Sequence, residues 1–366
     1  MPEYNGFTFE PTAKGYRITF QRNQATITSL VIPSTYNGKP VTEIHCTDLM
    51  GVFQYMPNLT SVTIPNGITY IGNYTFKGCA KLQSVIIPNS VTAIGDGAFV
   101  GCTALKSVTV GGSVTSIGAN AFSGCTSLQS VTLGGSVTSV GENAFARCTA
   151  LKSIVIPNSV VSIGVRAFTG CTELKSVTLG SSLVSIGGGA FSGSGVTSIT
   201  IPNSVTGMGD GVFDACASLQ RVTLSDSLVR IPVKTFANCV ALTSFTIGKS
   251  VVKIGPAAFS NCRALKSASI GGSVQRIEKS AFGGCTALSD VAIGSNVKFI
   301  GVDAFLKCPL TSVRFSVPSG WKQPQATYFI TTDSERGLSA ISDYMLNDPS
   351  KAAVFMLKLR RGDMTR

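Results

Sequence analysis

Eleven cysteines, a single histidine and a Gly-Lys-Ser tripeptide are the residues of this 366-residue chain whose types could do chemistry. Thiolates bind zinc or carry redox reactions, an imidazole moves protons near neutral pH, and a glycine-rich turn ending in Lys-Ser cradles phosphate. Spacing argues against each of these. Ten of the cysteines follow a phenylalanine by three residues, as in Phe99/Cys102, Phe122/Cys125, Phe145/Cys148 and Phe236/Cys239, and lie 23 or 45 residues from one another. Zinc needs four ligands converging on a point, usually from close-spaced pairs, whereas side chains one repeat apart form a line. A structural ladder of buried thiols is therefore expected, since free cysteine packs as a small hydrophobe. Cys46 stands outside the ladder and is the candidate reactive thiol. His45 sits in an irregular stretch with no placed nucleophile or acid, so no Ser-His-Asp or Cys-His arrangement is predicted. In Gly248-Lys249-Ser250, Thr243 occupies the position where a phosphate-binding loop needs its first glycine, which makes the tripeptide a repeat turn. No catalytic residue, metal site or cofactor is expected.

What must position these residues is the 23-residue period itself. A fixed period of this length marks a repeat solenoid, in which each unit buries its apolar face only against its neighbours. In the unit from Leu105 to Leu128, Val108-Thr109-Val110 alternates as a short strand. Gly111-Gly112-Ser113 turns the chain, Val114 to Ile117 is a second extended segment, and Ala121 to Cys125 reads as a single helical or 3₁₀ turn. Equivalent strands of successive units should pair in parallel, about 4.8 Å apart. The fold class is thus mostly β, and 366 residues with 44% hydrophobic and 13% charged content make one linear core, neither disordered nor membrane-spanning.

The Leu-x-x-Val-x-Leu/Val/Ile core, with strings such as Ile87-Pro88-Asn89-Ser90-Val91-Thr92-Ala93-Ile94-Gly95-Asp96-Gly97-Ala98-Phe99 and Ile156-Pro157-Asn158-Ser159-Val160, resembles the BspA-like, or Treponema-type, leucine-rich repeat family. The resemblance runs from about Ile27 to Phe315. It implies a leucine-rich repeat solenoid with parallel strands on a concave face, and a ligand-binding surface protein of bacteria or microbial eukaryotes, often an adhesin.

Three regions are predicted. Residues 1–26 hold Phe7-Thr8-Phe9 and Tyr16-Arg17-Ile18-Thr19-Phe20 around a turn from Pro11 to Gly15, and read as a β-hairpin cap. Residues 27–316 form an array of about 13 strands. One residue is missing near 191–196, where Ser194 takes the cysteine slot, and another after Cys308. The array opens with a degenerate unit that carries a longer loop through Tyr36-Asn37-Gly38-Lys39. Residues 317–366 break the period; a linker with Trp321 precedes two short helices, over Glu335–Leu346 and Lys351–Lys358, that either cap the array or form a partner-binding arm. Arg361-Gly362-Asp363 in this tail spells an integrin-binding tripeptide.

Two surfaces follow from the register. The outward residues of the main strand, among them Ser107, Thr109, Ser130, Thr132, Ser176, Thr178, Arg221 and Thr223, make a small, hydroxylated wall that is the candidate concave binding face. Residues 196–316 carry 12 basic and 6 acidic residues, so half of the chain's +12 lies there. Arg230, Lys253 and Arg276 share one slot of consecutive units, with Lys298 one position earlier in the next, and form a candidate anion-binding stripe. The expectation is a non-catalytic interaction scaffold with adhesin-like recognition of a protein or glycan. The alternative is an intracellular structural module docking the stripe on an acidic filament surface or nucleic acid. Met-Pro-Glu-Tyr-Asn-Gly lacks the blocks of a signal peptide and unpaired thiols suit a reducing compartment, pointing to the cytoplasm, whereas the resemblance points to the cell surface. No membrane insertion is expected.

Overall fold

A computed structural model of the protein describes residues 6–21, 26–45 and 51–316. Cys46, Trp321, both C-terminal helices and Arg361-Gly362-Asp363 lie outside the described residues. The chain forms two compact units, Met1–Ser194 and Gly195–Arg366, and the division falls at the unit that lacks a residue.

In the first unit the hairpin strands Phe7–Thr12 and Gly15–Gln21 pair antiparallel, and the second of them lies parallel to Lys39–Ile44. Phe7 is buried edge-on against Phe53, at 6.2 Å between centroids. Phe9 stacks on Tyr36 at 4.0 Å. The longer loop is itself a small hairpin: Thr35–Tyr36 pairs antiparallel with Lys39–Ile44. Asn37 and Gly38 both have positive φ, 48° and 73°. That is the conformation of a type I′ turn, which Asn-Gly adopts with little strain.

Two columns of parallel strands follow. The long strands Ser29–Val31, Ser61–Thr63, Ser84–Ile86, Ser107–Thr109 and Ser130–Thr132 form one sheet, and Ser153–Val155 pairs with Ser176–Thr178. The short strands Tyr70–Ile71, Ala93–Ile94, Ser116–Ile117, Ser139–Val140, Ser162–Ile163 and Ser185–Ile186 continue from Lys39–Ile44. Register is in phase: Ser107 faces Ser84 on one side and Ser130 on the other. The alternation that the sequence shows thus becomes columns, with Val85, Val108 and Ile154 buried and the serines and threonines outside.

The second unit repeats the plan. Ser198–Thr200, Arg221–Thr223 and Ser244–Thr246 form one long-strand sheet, and Ser267–Ile270, Asp290–Ile293 and Ser312–Phe315 another. Arg230–Ile231, Lys253–Ile254, Arg276–Ile277 and Phe299–Ile300 make the short-strand sheet. The residue missing after Cys308 is absorbed in the turn, since Asp290 still pairs with Ser312 and Val291 with Val313.

The helical or 3₁₀ turn expected around each Phe-x-x-Cys is not formed; among the described residues there is no helix. Alternate amides of this segment are committed to the neighbouring unit instead. Asn120 N, Phe122 N and Gly124 N donate to Glu142 O, Ala144 O and Ala146 O at 2.7 to 2.8 Å, while Cys125 N closes a turn on Phe122 O at 3.3 Å. Positive φ at Asn120 (56°) and Gly124 (73°) breaks the single-handed run a helix needs. The result is a third hydrogen-bonded column, and it explains why glycine or asparagine recurs in these slots.

Candidate functional site

The Phe/Cys slot is the interior of each turn. Phe99, Phe122, Phe145, Phe236 and their equivalents are fully buried. Phe99, Phe122 and Phe145 stack nearly parallel at 5.2 Å, and Phe213 lies 5.5 Å from Phe236. The thiols donate to the phenylalanine carbonyl of the preceding unit, as Cys102 to Phe76, Cys125 to Phe99, Cys148 to Phe122 and Cys239 to Phe213, at 3.1 to 3.2 Å. All ten ladder cysteines are free and buried. Burial pushes the Cys125 and Cys148 thiols well above the usual thiol range. Neutral, sequestered thiols are poor nucleophiles and poor metal ligands. Among the described residues no His/Cys/Asp/Glu group is arranged to hold a metal ion. Ser194, in the slot of the absent cysteine, is also buried, and its amide donates to Phe191 O at 3.0 Å.

Outside the long strands, Thr109, Ser130, Thr132, Ser176, Thr178, Arg221 and Thr223 are exposed and Ser107 is partly so. The structure stacks Ser107 on Ser130 and Thr109 on Thr132. It puts Ser176 and Thr178 beside Ser153 and Val155. Arg221 faces Ser198, in the second unit. The same outward column holds apolar residues: Val31, Ile86 and Val155 are 65%, 71% and 63% exposed. Their β-branched side chains suit a strand as well as threonine does, yet unlike threonine they leave apolar surface in water.

The basic slot lies on the short strands of the second unit. Arg230 pairs in register with Lys253 and Lys253 with Arg276, but the next rung is Phe299. Lys298 stands one column over, its amide donating to Gln275 O at 2.8 Å. Register alone gave no sign that a carboxylate would sit inside the stripe. Glu278 takes a slot that is glycine in most units, and its Oε1 accepts from Lys253 Nζ and Arg276 Nε, both at 2.9 Å. Partial burial raises the Glu278 pKa, but the two cationic hydrogen bonds outweigh it and hold the carboxyl below its ordinary value. Arg276 also lies over the Phe299 ring at 4.0 Å, a contact of cation–π type. Arg230 and Lys298 make no ion pair with a described residue. Lys249, in the Gly248-Lys249-Ser250 turn, pairs with Asp226 at 3.4 Å.

His45 does have a partner, contrary to the sequence reading. Lys39–Ile44 ends just before it, which brings its Nε2 to 3.0 Å from Glu43 Oε2. Its ring meets Tyr70 edge-on at 5.5 Å. Tyr55, Tyr74 and Lys77 lie on the adjoining turns, with Lys77 Nζ 5.4 and 5.2 Å from the two ring centroids. Sequence reasoning passed over these residues. The signal available was that tyrosine stands where the next unit has glycine, at Tyr55 against Gly78 and at Tyr74 against Gly97.

The model of the BspA type leucine rich repeat region matches residues 50–164, 138–266 and 208–330. A leucine-rich repeat protein of Bacteroides ovatus is similar in structure, at 30% identity and a TM-score of 0.62, covering 85% of this chain and 93% of its own. A leucine rich cell surface protein of Faecalibacterium prausnitzii follows at 26% identity and 0.51, covering 87% and 95%. The pneumococcal vaccine antigen PcpA, at 20% identity and 0.55 with 90% and 91% covered, shares the fold. No curated protein matches the chain.

Proposed function

Because this chain belongs to the BspA-type leucine-rich repeat family, we propose that it is a non-catalytic scaffold that binds a protein or glycan partner across the outward face of its long strands, in the manner of an adhesin. The observation that carries this reading is the outward column itself, in which Val31, Ile86 and Val155 stay exposed among uncharged threonines. Parallel pairing orders that column, on both sides at Ser84–Ile86 and on one side at Ser29–Val31 and Ser153–Val155, so a partner meets a surface already ordered and the entropic cost of binding falls. Solenoids use such extended faces for recognition. The buried state of the Phe/Cys ladder supports a packing role for the thiols.

The test places charge on the face without touching the core. Protein and glycan arrays probed with the full chain and with a Thr109→Arg/Thr132→Arg variant are expected to show at least about tenfold weaker binding by the variant, with its thermal midpoint nearly unchanged, because exposed substitutions usually stay within about 0.5 kcal/mol. Equal binding by both proteins, or no ligand bound by either, would overturn the reading.

A second reading, docking of the stripe on an acidic filament surface or nucleic acid, draws on the direct stacking of Arg230, Lys253 and Arg276. Glu278 cancels part of that charge, which gives the reading a two-sided test. On an immobilised polyanion such as heparin, Glu278→Gln is expected to elute at higher salt than the unmodified chain. An Arg230→Ser/Lys253→Ser/Arg276→Ser variant is expected at lower salt, with a salt dependence shallower by about 3 charges. Unchanged elution of both variants would exclude the stripe.

A further inference from the structure

The first turns of the first unit carry chemistry that the later turns lack, and we propose that Tyr55, Tyr70 and Tyr74, with the carboxylates of Glu43 and Asp96, form a binding site for a neutral oligosaccharide. The inference rests on the scaffold reading above and names a ligand class for it, at a place distinct from the long-strand face.

Tyr55 and Tyr74 both sit at φ 55°, in slots where the next units have Gly78 at 69° and Gly97 at 58°. The repeat imposes this conformation on both slots, which also hold Arg147, Arg166, Lys234 and Lys307 at positive φ, so it is the aromatic rings that set Tyr55 and Tyr74 apart. Both rings are laid across the next unit's glycine. A Cβ added at Gly78 would come within 2.5 Å of Tyr55 Cδ1, and one at Gly97 within 2.5 Å of Tyr74 Cδ1. One side of each ring is therefore packed on backbone, and Tyr55 remains 59% exposed. Lys77 Nζ stands 5.4 Å from the Tyr55 ring centroid and 5.2 Å from that of Tyr74.

The polar half of the site adjoins this platform. Tyr74 N donates to Asp96 O at 2.8 Å, and Asp96 N donates to Asn73 Oδ1 at 2.8 Å. One strand back, Tyr70 pairs in register with Glu43. Burial first, then the carboxylates of Asp96 and Glu43, raise the Tyr70 phenol above its ordinary value, so it stays a donor with two acceptors close by. The equivalent short-strand slots further on hold Ala93, Ser116 and Ser139.

A pyranose ring offers an apolar C–H face and a rim of hydroxyls. Preformed aromatic faces take the first; Asp96 Oδ1 already accepts from Ala119 N and Glu43 Oε2 meets His45 Nε2, so the second falls to the other oxygen of each carboxylate. Glu43 and Asp96 would repel an acidic sugar, which favours a neutral one.

The full chain is tested by saturation-transfer NMR and calorimetry with cellohexaose, maltohexaose and N-acetylated chitohexaose, and with sialyllactose as the acidic comparison. At least one neutral hexasaccharide is expected to bind. Tyr55→Gly and Tyr74→Gly are each expected to weaken it by about tenfold or more, with thermal midpoints equal to or above that of the unmodified chain, since glycine is the residue of the neighbouring units. The proposal is overturned if no neutral probe binds, if only sialyllactose binds, if the glycine variants bind as the unmodified chain does, or if they lose stability, which would make the tyrosines structural. Where the tyrosine variants are silent but Thr109→Arg/Thr132→Arg abolishes partner binding, this site falls and the scaffold reading stands.

Discussion

Titration from pH 8 to pH 11 is expected to unfold the array cooperatively. Eight ladder thiols, Cys79, Cys102, Cys125, Cys148, Cys171, Cys239, Cys285 and Cys308, are held above the ordinary thiol range in the folded protein. Burial is the leading cause for the first six; for Cys285 and Cys308 the neighbouring thiol of the ladder comes first, with burial adding to it. Cys79 is raised to about 11 and Cys171 to about 12. The folded state therefore keeps protons that the unfolded state gives up at about 8.5. Stability from this source is complete below that value and is lost as the pH climbs from there toward the folded-state values. Each thiol contributes somewhat over ~1 kcal/mol per pH unit in that window and the eight together on the order of 10 per pH unit, so one unit removes as much as the whole stability of a typical domain. Circular dichroism and thiolate absorbance near 240 nm should change together between about pH 9 and 11. Thiolates appearing by pH 10 with unchanged dichroism would show that the ladder is open to solvent.

Phe122→Ala is expected to be the most damaging of the simple truncations. Phe122 is fully buried and stacks on Phe99 and Phe145, each at 5.2 Å. Its removal leaves a cavity bounded by two rings whose backbone is pinned in three hydrogen-bonded columns, so the site cannot collapse. The cost should be about 3–5 kcal/mol, read as a fall in urea midpoint at constant slope. Phe122→Leu should cost about half as much, because most of the volume is kept. Repeat arrays are stabilised through nearest-neighbour interfaces, so Phe305→Ala, near the end of the described stack, should cost less than Phe122→Ala. Equal losses at the two positions would mean that the rings do not act as a stack.

Much of the fold was legible because one residue pattern recurs at a constant interval. Phe99, Phe122 and Phe145 are expected in one interior column once the interval is recognised, and so are the inward valines and outward threonines of each long strand. The same register identified Gly248-Lys249-Ser250 as a turn. The turn around Ala121 to Cys125 was misread as helical, since a helix and a ladder of positive-φ turns need similar local spacing. Cross-unit amide bonds decide between them, and those are not a property of any single unit.

The sequence by itself determined the period, the family and which slots face inward, because parallel pairing in register turns spacing along the chain into position across the sheet. Tertiary structure alone decided which side chains reach across rungs. Glu278 meets Lys253 and Arg276, His45 meets Glu43, and Lys77 reaches toward the rings of Tyr55 and Tyr74. The physical reason is that a repeat fixes the backbone slot, whereas a long side chain settles wherever the next rung leaves room. Here that room is made by glycines and occupied by the few residues that break the pattern.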